Sequence, residues 1–355
     1  MNDDDVNIGN FSCPLPMGEY DFITMAHGGG GKIMNNLIDK MFMKTFSNNI
    51  IQQKHDGAIF EIGKQKFAFT TDSYVVNPIF FPGGDIGELA VYGTVNDLSM
   101  CGAIPLFLSL AIIMEEGFPV KDLEKIVNSI RKATDTANVK IITGDTKVVE
   151  KGKGDGIFIN TSGIGIINEK IRIFPQNIKK GDLILLNGDI GRHGTAIMTS
   201  RENLDIESNI KSDCAPLNGI VKRLIDEDIE IHCLRDLTRG GLGSALNEIA
   251  TQTELEIEID GKEINVIEEV KGICEILGID PIHIANEGRF IAFVAKDDAE
   301  KALKILRKEK VTGKYASIIG IVKDRYEKGI VTLKSITGAK RILDMLSGEQ
   351  LPRIC

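Results

Sequence analysis

The order in which apolar patterns follow one another limits this chain's fold more than any other feature. Strand-like runs come in adjacent pairs and are interleaved with helical patterns. Ala58 to Ile62 and Lys66 to Thr71, split by a turn at Gly63, read as neighbouring strands. The spacing predicts a helix over Lys32–Phe42, a buried helix over Gly83–Met100 and a long strand over Pro105–Met114. An amphipathic helix follows over Pro119–Ala137, with Pro in the first turn, and then strands over Val139–Thr143 and Gly156–Ile167. A second cycle opens at Gly181–Leu186, with helices near 194–203, 216–228, 240–251, 266–277 and 297–309. Its further strands lie near 254–259, 289–295, 316–322 and 330–334. Pairs of strands mixed with helices predict α+β sandwiches rather than a regular βαβ winding. At about 150 residues per domain, 355 residues make about two domains, with the break near 168–180 around Pro175. The expected division is an irregular leader over 1–20, domains over 21–170 and 171–345, and a mobile tail over 346–355. Asp97-Leu98-Ser99-Met100-Cys101-Gly102 echoes Asp236-Leu237-Thr238-Arg239-Gly240-Gly241, which fits duplication of one half into the other.

Charge and hydropathy remove several classes of function. With 42 Lys and Arg against 51 Asp and Glu, the net charge is −9 and no basic run offers a nucleic-acid face. The longest apolar stretch, Leu106 to Met114, is far short of the roughly 20 residues that span a bilayer. The start, Met1-Asn2-Asp3-Asp4-Asp5, is acidic where a secretory signal is basic. Six cysteines without a CxxC pair predict neither structural zinc nor a disulfide framework, and point to the reducing cytosol.

Glycine is over-represented, at 37 residues, and grouped at the ends of apolar runs, where backbone approaches a ligand. Gly28-Gly29-Gly30-Gly31 before Lys32 reads equally as a phosphate cradle at a helix N-terminus or as a plain glycine turn. Four aspartates sit in similar short contexts: Asp72 after Phe67–Thr71, Asp97 after Val95-Asn96, Asp145 after Ile141–Gly144, and Asp236 after Cys233–Arg235. Singly, each is a cap or turn former. Converging on one cleft, they would need a hard cation, and Mg²⁺ carrying nucleotide phosphates suits an all-oxygen set. Lys147 and Glu287 stand beside expected close backbone approaches and are either site residues or surface charges. His27, His193, His232 and His283 read first as ordinary structural histidines. The chain ends Leu351-Pro352-Arg353-Ile354-Cys355. Any chain can end in Cys by chance, but a thiol at a chain end can travel between sites; Arg353 favours its nucleophilic thiolate while the terminal carboxylate opposes it.

Several segments together resemble one family. They are His27–Gly30, Thr71-Asp72-Ser73, Phe81–Asp85, Asn96-Asp97-Leu98, Thr143–Val149, Ser212–Leu217, Arg235–Gly241 and the terminal Pro352–Cys355. The chain resembles the HypE hydrogenase maturation factors, carbamoyl dehydratases of the aminoimidazole-ribonucleotide synthetase (PurM-like) superfamily. The aspartate loops are common to that superfamily, whereas the terminal tetrapeptide belongs to the HypE branch. The acidic leader looks longer than the family usually carries.

The resemblance implies a two-domain PurM-like α+β architecture and a homodimer formed through the N-terminal sheets, with ATP near the interface. It further implies that Gly28, Gly29, Gly30, Lys32, Asn96 and Asp236 contact ATP, and that Asp72, Asp97, Asp145 and Asp236 hold Mg²⁺. A carbamoyltransferase, HypF, would load Cys355, and Lys147 or Glu287 would act as base. The resulting cyano group would pass to iron on a HypC–HypD complex. Two other readings stand beside this one: a non-enzymatic thiol carrier, and another PurM-like enzyme such as selenophosphate synthetase. For the latter, Cys13 is the candidate reactive thiol, but no lysine-bearing glycine loop adjoins it.

Overall fold

Residues 21–201, 208–309, 313–335, 337–348 and 353–355 are described by the computed structural model. The leader, Cys13 and Pro352 lie outside them. Behind the glycine run, α1 (Lys32–Leu37) forms as expected and continues into a wider turn over Ile38–Met43. The first half then contains β1 (Ala58–Ile62), β2 (Gln65–Tyr74), a short pair β3 (Phe80–Phe81) and β4 (Gly84–Asp85), and α2 (Ile86–Met100). It continues with β5 (Ile104–Glu115), α3 (Val120–Ala137), β6 (Lys140–Val149) and β7 (Ile157–Ile167). Five of these strands make one sheet in the order β1-β2-β7-β5-β6, antiparallel except for β5 and β6, which α3 connects.

Two strand boundaries differ from expectation in a way that matters for function. β2 runs on to Tyr74 and β6 to Val149, so Asp72 and Asp145 lie inside strands rather than at their ends. Pairing explains both extensions, because Tyr74 opposes Ile159 and Val149 opposes Glu115. The ladder carries the backbone past the point where apolar side chains stop. Helix α2 begins three residues later than predicted, because the Asp85 carboxylate accepts from the N–H groups of Gly87 and Glu88 and caps it.

The second half contains β8 (Leu183–Leu186), α4 (Arg192–Thr199), α5 (Asn218–Asp226), β9 (Ile231–Asp236), α6 (Gly241–Thr253) and β10 (Leu255–Asp260). It ends with α7 (Glu268–Leu277), β11 (Phe290–Val294), α8 (Ala299–Leu306), β12 (Ser317–Arg325), β13 (Ile330–Lys334) and β14 (Lys340–Ile342). Its sheet has the order β14-β13-β10-β12-β8-β11-β9. Alternate residues of β11 feed two cores. Phe290, Ala292 and Val294 pack with α5 and α8, and Ile291 and Phe293 with α6. Helices on both faces explain why that strand reads as an unbroken apolar run. Asp97 stands in the last turn of α2 and Asp236 at the end of β9, so the two echoing segments do not occupy equivalent elements.

Helix α2 joins the halves. It is apolar or small almost all round and buried accordingly, packing on β2 and β7 on one side and on β9 and α5 on the other. At Gly93 a Cβ would lie 2.3 Å from the Tyr74 hydroxyl, so only glycine admits the close seat on β2. Asn96, expected to contact ATP, is instead committed to the junction between the halves. Its amide donates to the carbonyls of Ala215 (3.1 Å) and Glu287 (3.2 Å), and its oxygen accepts from Leu217 N–H (2.8 Å). Both protons are thereby used. Asn96→Ala would leave buried backbone groups unpaired and is expected to cost about 3 kcal/mol in denaturant unfolding. An unchanged midpoint and slope would show that the junction does not depend on it.

Candidate active site

A cleft of about 1160 Å³ lies where α1, β2, α2, the end of β9 and α6 meet. Asp72, Asp97, Asp236, Glu287 and Cys355 all line it. Asp72 is presented by β2 and accepts a hydrogen bond from the Tyr74 hydroxyl (3.3 Å). Asp97 comes from α2 and accepts from Thr70 Oγ1 (2.7 Å). Asp236 ends β9, and Glu287 precedes β11 in a loop held by Asp213, whose Oδ2 accepts from the N–H groups of Glu287 (3.2 Å) and Gly288 (3.0 Å).

A fifth carboxylate, not anticipated from the sequence, completes the group. Asp56 sits just before β1, and its Oδ1 accepts from the Arg235 guanidinium at 2.5 Å. The signal was present in His55-Asp56-Gly57 leading into a strand, the mirror of the contexts in which aspartate ends an apolar run. Arg239 and Tyr74 also line the cleft without having been assigned a role.

The carboxylates raise one another's proton affinity. Burial, then the neighbouring Asp72, Asp236 and Asp56, push Asp97 well above the usual carboxylate range. Burial, then Asp56 and Asp72, do the same to Asp236. Glu287 is raised by burial, then by Asp236, Asp213 and Asp72. Burial also acts to raise Asp56, but the Arg235 guanidinium and His55 outweigh it and hold that carboxyl low. Arg239 is held in its charged form chiefly by the chain end at Cys355, then by Asp72 and Glu287.

The group fits a hard cation. Asp56 Oδ2 and Glu287 Oε1 are buried without a hydrogen-bond partner among the described residues, and every donor in the set is an oxygen. Among those residues no three acidic, imidazole or thiol groups are placed to hold a metal ion by themselves. Mg²⁺ is usually held by one or two carboxylates and completes its shell with phosphate and water.

Three sequence expectations are redirected. Asp145 and Lys147 pair with each other (2.8 Å) on edge strand β6, 62% and 67% exposed, away from the cleft of their own chain. The sheet order explains this, since β7 and β5 separate β6 from β2. Within the glycine run, Gly30 and Gly31 pack on protein, whereas a Cβ at Gly28 would meet nothing within 4 Å. Gly30 has φ +74, and a Cβ there would lie 2.8 Å from the Arg239 backbone. The first N–H of α1, from Lys32, is already bonded to the Leu346 carbonyl (2.8 Å). Gly28 and Gly29 do not line the cleft, whereas Lys32 does and pairs with Asp344 (2.6 Å).

The chain end is seated inside the cleft. Val75 N–H donates to the Cys355 carbonyl (3.0 Å) and Asn77 N–H to that of Arg353 (3.2 Å), an antiparallel continuation of β2. The Ile354 side chain is 4% exposed and packs in the core with Phe81 and Ile197. The remaining described cysteines are poor nucleophiles. Burial pushes the thiols of Cys101, Cys214 and Cys233 far up and that of Cys274 to about 11.

The raised carboxylates fix the sign of a pH effect. Between the unfolded carboxylate range, about 4, and their raised native values, the folded protein binds more protons than the unfolded chain, so metal-free stability falls as pH rises. Asp97→Asn is expected to flatten that fall, raise the metal-free melting temperature at neutral pH and weaken Mg²⁺-nucleotide binding. Melting curves with the same pH dependence as wild type, together with unchanged calorimetric affinity, would contradict the assignment.

Comparison with known proteins agrees with this geometry. Residues 54–167 match the AIR synthase related protein N-terminal domain and residues 179–332 the corresponding C-terminal domain. The carbamoyl dehydratase HypE of Azotobacter vinelandii is 45% identical over 334 residues, covering 94% of this chain and 97% of that protein. HypE of Escherichia coli K12 is 41% identical over 338 residues, covering 94% of this chain and 99% of its own. A crystal structure of a HypE–HypF complex superposes with a TM-score of 0.82 at 48% identity, covering 87% of this chain and 99% of that one. HypE crystallised in complex with ATP gives 0.78 at 43% identity, covering 94% and 100%. Two AIR synthase related domains, a carboxylate-lined cleft between them and a terminal cysteine seated in it place this chain in the HypE family of carbamoyl dehydratases.

Proposed function

We propose that this protein dehydrates a carbamoyl group carried on Cys355 to a thiocyanate, in an ATP- and Mg²⁺-dependent reaction that serves hydrogenase maturation. The observation that carries the reading is the coincidence of the terminal thiol with Glu287 and the aspartates in one cleft. Removing water from an amide in aqueous solution is unfavourable. ATP supplies the means by phosphorylating the carbamoyl oxygen, which then departs as phosphate.

The chain's own residues supply the rest. Cys355 bears the carbamoyl carbon through a C–S bond that stays intact. Asp72, Asp97 and Asp236, joined by Asp56, would hold a Mg²⁺ ion, whose charge would screen the phosphates. Arg239 offsets the negative charge beside the tail. Glu287 removes the nitrogen protons, two in all, so that the C–N bond becomes triple as the C–O bond breaks. Burial, then the neighbouring carboxylates, raise its proton affinity above that of an ordinary glutamate, the direction that strengthens a general base. Within one protomer the role falls to Glu287 because Lys147 lies outside the cleft. Lys147 and Asp145 can contribute only from a second protomer.

A homodimer is supported by the N-terminal sheet. Strand β6 is an open edge, and Phe69, Phe107 and Ile113 are 39–44% exposed on the same sheet. The HypE–HypF complex supports HypF as a partner, and iron on a HypC–HypD complex as acceptor of the cyano group rests on the family resemblance. None of the described helices is long and apolar enough to cross a membrane. The cysteine pattern, six residues without a CxxC pair, supports work in the cytosol.

ATP hydrolysis that depends on carbamoylated Cys355 separates the enzyme from a passive carrier. Glu287→Gln is expected to accept the carbamoyl group and bind ATP yet dehydrate roughly 10²–10⁴-fold more slowly, the usual span for a lost general base. Cys355→Ala should fold, bind nucleotide and show only background hydrolysis. Wild-type turnover by Glu287→Gln, or carbamoyl-dependent hydrolysis by Cys355→Ala, would overturn the assignment.

A further inference from the structure

One motif remains without a part in the reaction. Ser212-Asp213, between the glycine turn at Gly83 and the start of α4, surrounds the docked chain end together with His193. The imidazole of His193 is fully buried, and its Nε2 lies 2.8 Å from the Ile354 carbonyl. On the other side Nδ1 lies 2.8 Å from Ser212 Oγ, and the ring meets the edge of Phe81 at 5.5 Å.

The partners fix the tautomer. A carbonyl can only accept, so Nε2 must carry the proton toward Ile354. Ser212 Oγ already accepts from Cys214 N–H (3.0 Å), leaving its own proton for Nδ1. Burial lowers the proton affinity of His193 and keeps the ring neutral, which this arrangement requires. Asp213 then ties the ring's backbone to the base. Its Oδ1 accepts from His193 N–H (3.0 Å), and its Oδ2 accepts from Glu287 and Gly288 N–H.

We propose that His193 is a latch, a positioning residue that holds the C-terminal tail docked with Cys355 in the cleft, and that Asp213 sets the latch in register with the Glu287 loop. Its importance for turnover rests on the carrier role given to Cys355 above; the docking itself does not. A tail that must leave to be loaded and return to react needs an attachment that is specific yet weak. One neutral hydrogen bond to a main-chain carbonyl meets both needs, because it reads the backbone position and tolerates modification of the adjacent thiol. Arg201 reinforces the same seat, donating to the Arg353 carbonyl (3.1 Å) and to that of Asn77 (3.1 Å).

The test compares full-length wild type with His193→Ala, His193→Gln and Ser212→Ala, each with Mg²⁺ and ATP. The first measurement needs no turnover: the rate at which iodoacetamide alkylates Cys355, followed by the mass of the C-terminal peptide. His193→Ala is expected to speed alkylation about tenfold, the scale of one buried hydrogen bond. His193→Gln, whose amide N–H can reach the same carbonyl, should restore most of the protection. Ser212→Ala, which frees the tautomer, should fall between them. Single-turnover dehydration of carbamoylated Cys355 should slow in the same order, with ATP affinity and carbamoyl loading unchanged. Equal protection in wild type and folded His193→Ala, or no recovery in His193→Gln, would overturn the latch. Should His193→Ala not fold, wild-type protection in Ser212→Ala would count against it in the same way. Protection in the expected order without any dehydration by wild type would uphold the latch and sink the carrier reading.

Discussion

Five carboxylates, from Asp56, Asp72, Asp97, Asp236 and Glu287, are drawn toward one cleft, and their mutual repulsion governs what the surrounding structure must do. Strand β2, helix α2 and the end of β9 are pinned by cores on both sides, and this lets them hold such charges together. The almost wholly buried α2 is the shared wall. Arg235 relieves only Asp56 at close range, and Arg239 faces the chain end as much as the acids. The proposed Mg²⁺ would supply the counterweight. It would also allow an acidic cleft to accept a polyphosphate, which bare carboxylates would repel.

The tail answers a different demand. Its seat combines main-chain pairing with β2, one apolar plug at Ile354 and a few polar contacts, and its terminal charge faces Arg239. The seat draws on the last three residues, the chain just past β2, and Phe81, His193, Ile197, Arg201 and Arg239 around them. In the proposed reaction a fixed base and a movable substrate divide the work. Glu287 is held by Asp213 and the core, while Cys355 can be loaded elsewhere and returned.

Much of this was legible in the sequence because side-chain hydropathy reports burial directly. The helices over 120–137 and 268–277, the paired strands β1 and β2, and the two-cycle layout follow the apolar periods closely. So does the terminal thiol, whose position needs no fold to be noticed. What hydropathy cannot report is where a hydrogen-bonded ladder stops. Asp145 and Lys147 sit in polar sequence that β5 nevertheless pairs, and so they move from an expected loop to an exposed edge. The glycine run showed a close approach but not to what: Gly30 meets Arg239 and Gly31 meets Leu346, while Gly28 stays open. Asn96 looked like part of a ligand motif because it adjoins Asp97, which lines the cleft, yet successive helical residues point to different faces. Asp56 was passed over because it precedes its strand instead of ending one.

The central claim is that Cys355 carries the group that is dehydrated. Its most direct test is the mass of the C-terminal peptide, measured on protein loaded with the carbamoyl group and then given Mg²⁺ and ATP. The account predicts a carbamoyl adduct on Cys355 that loses the mass of one water on ATP addition, in step with phosphate release. An adduct that persists unchanged while ATP is consumed, or one found on Cys214 instead, would contradict it.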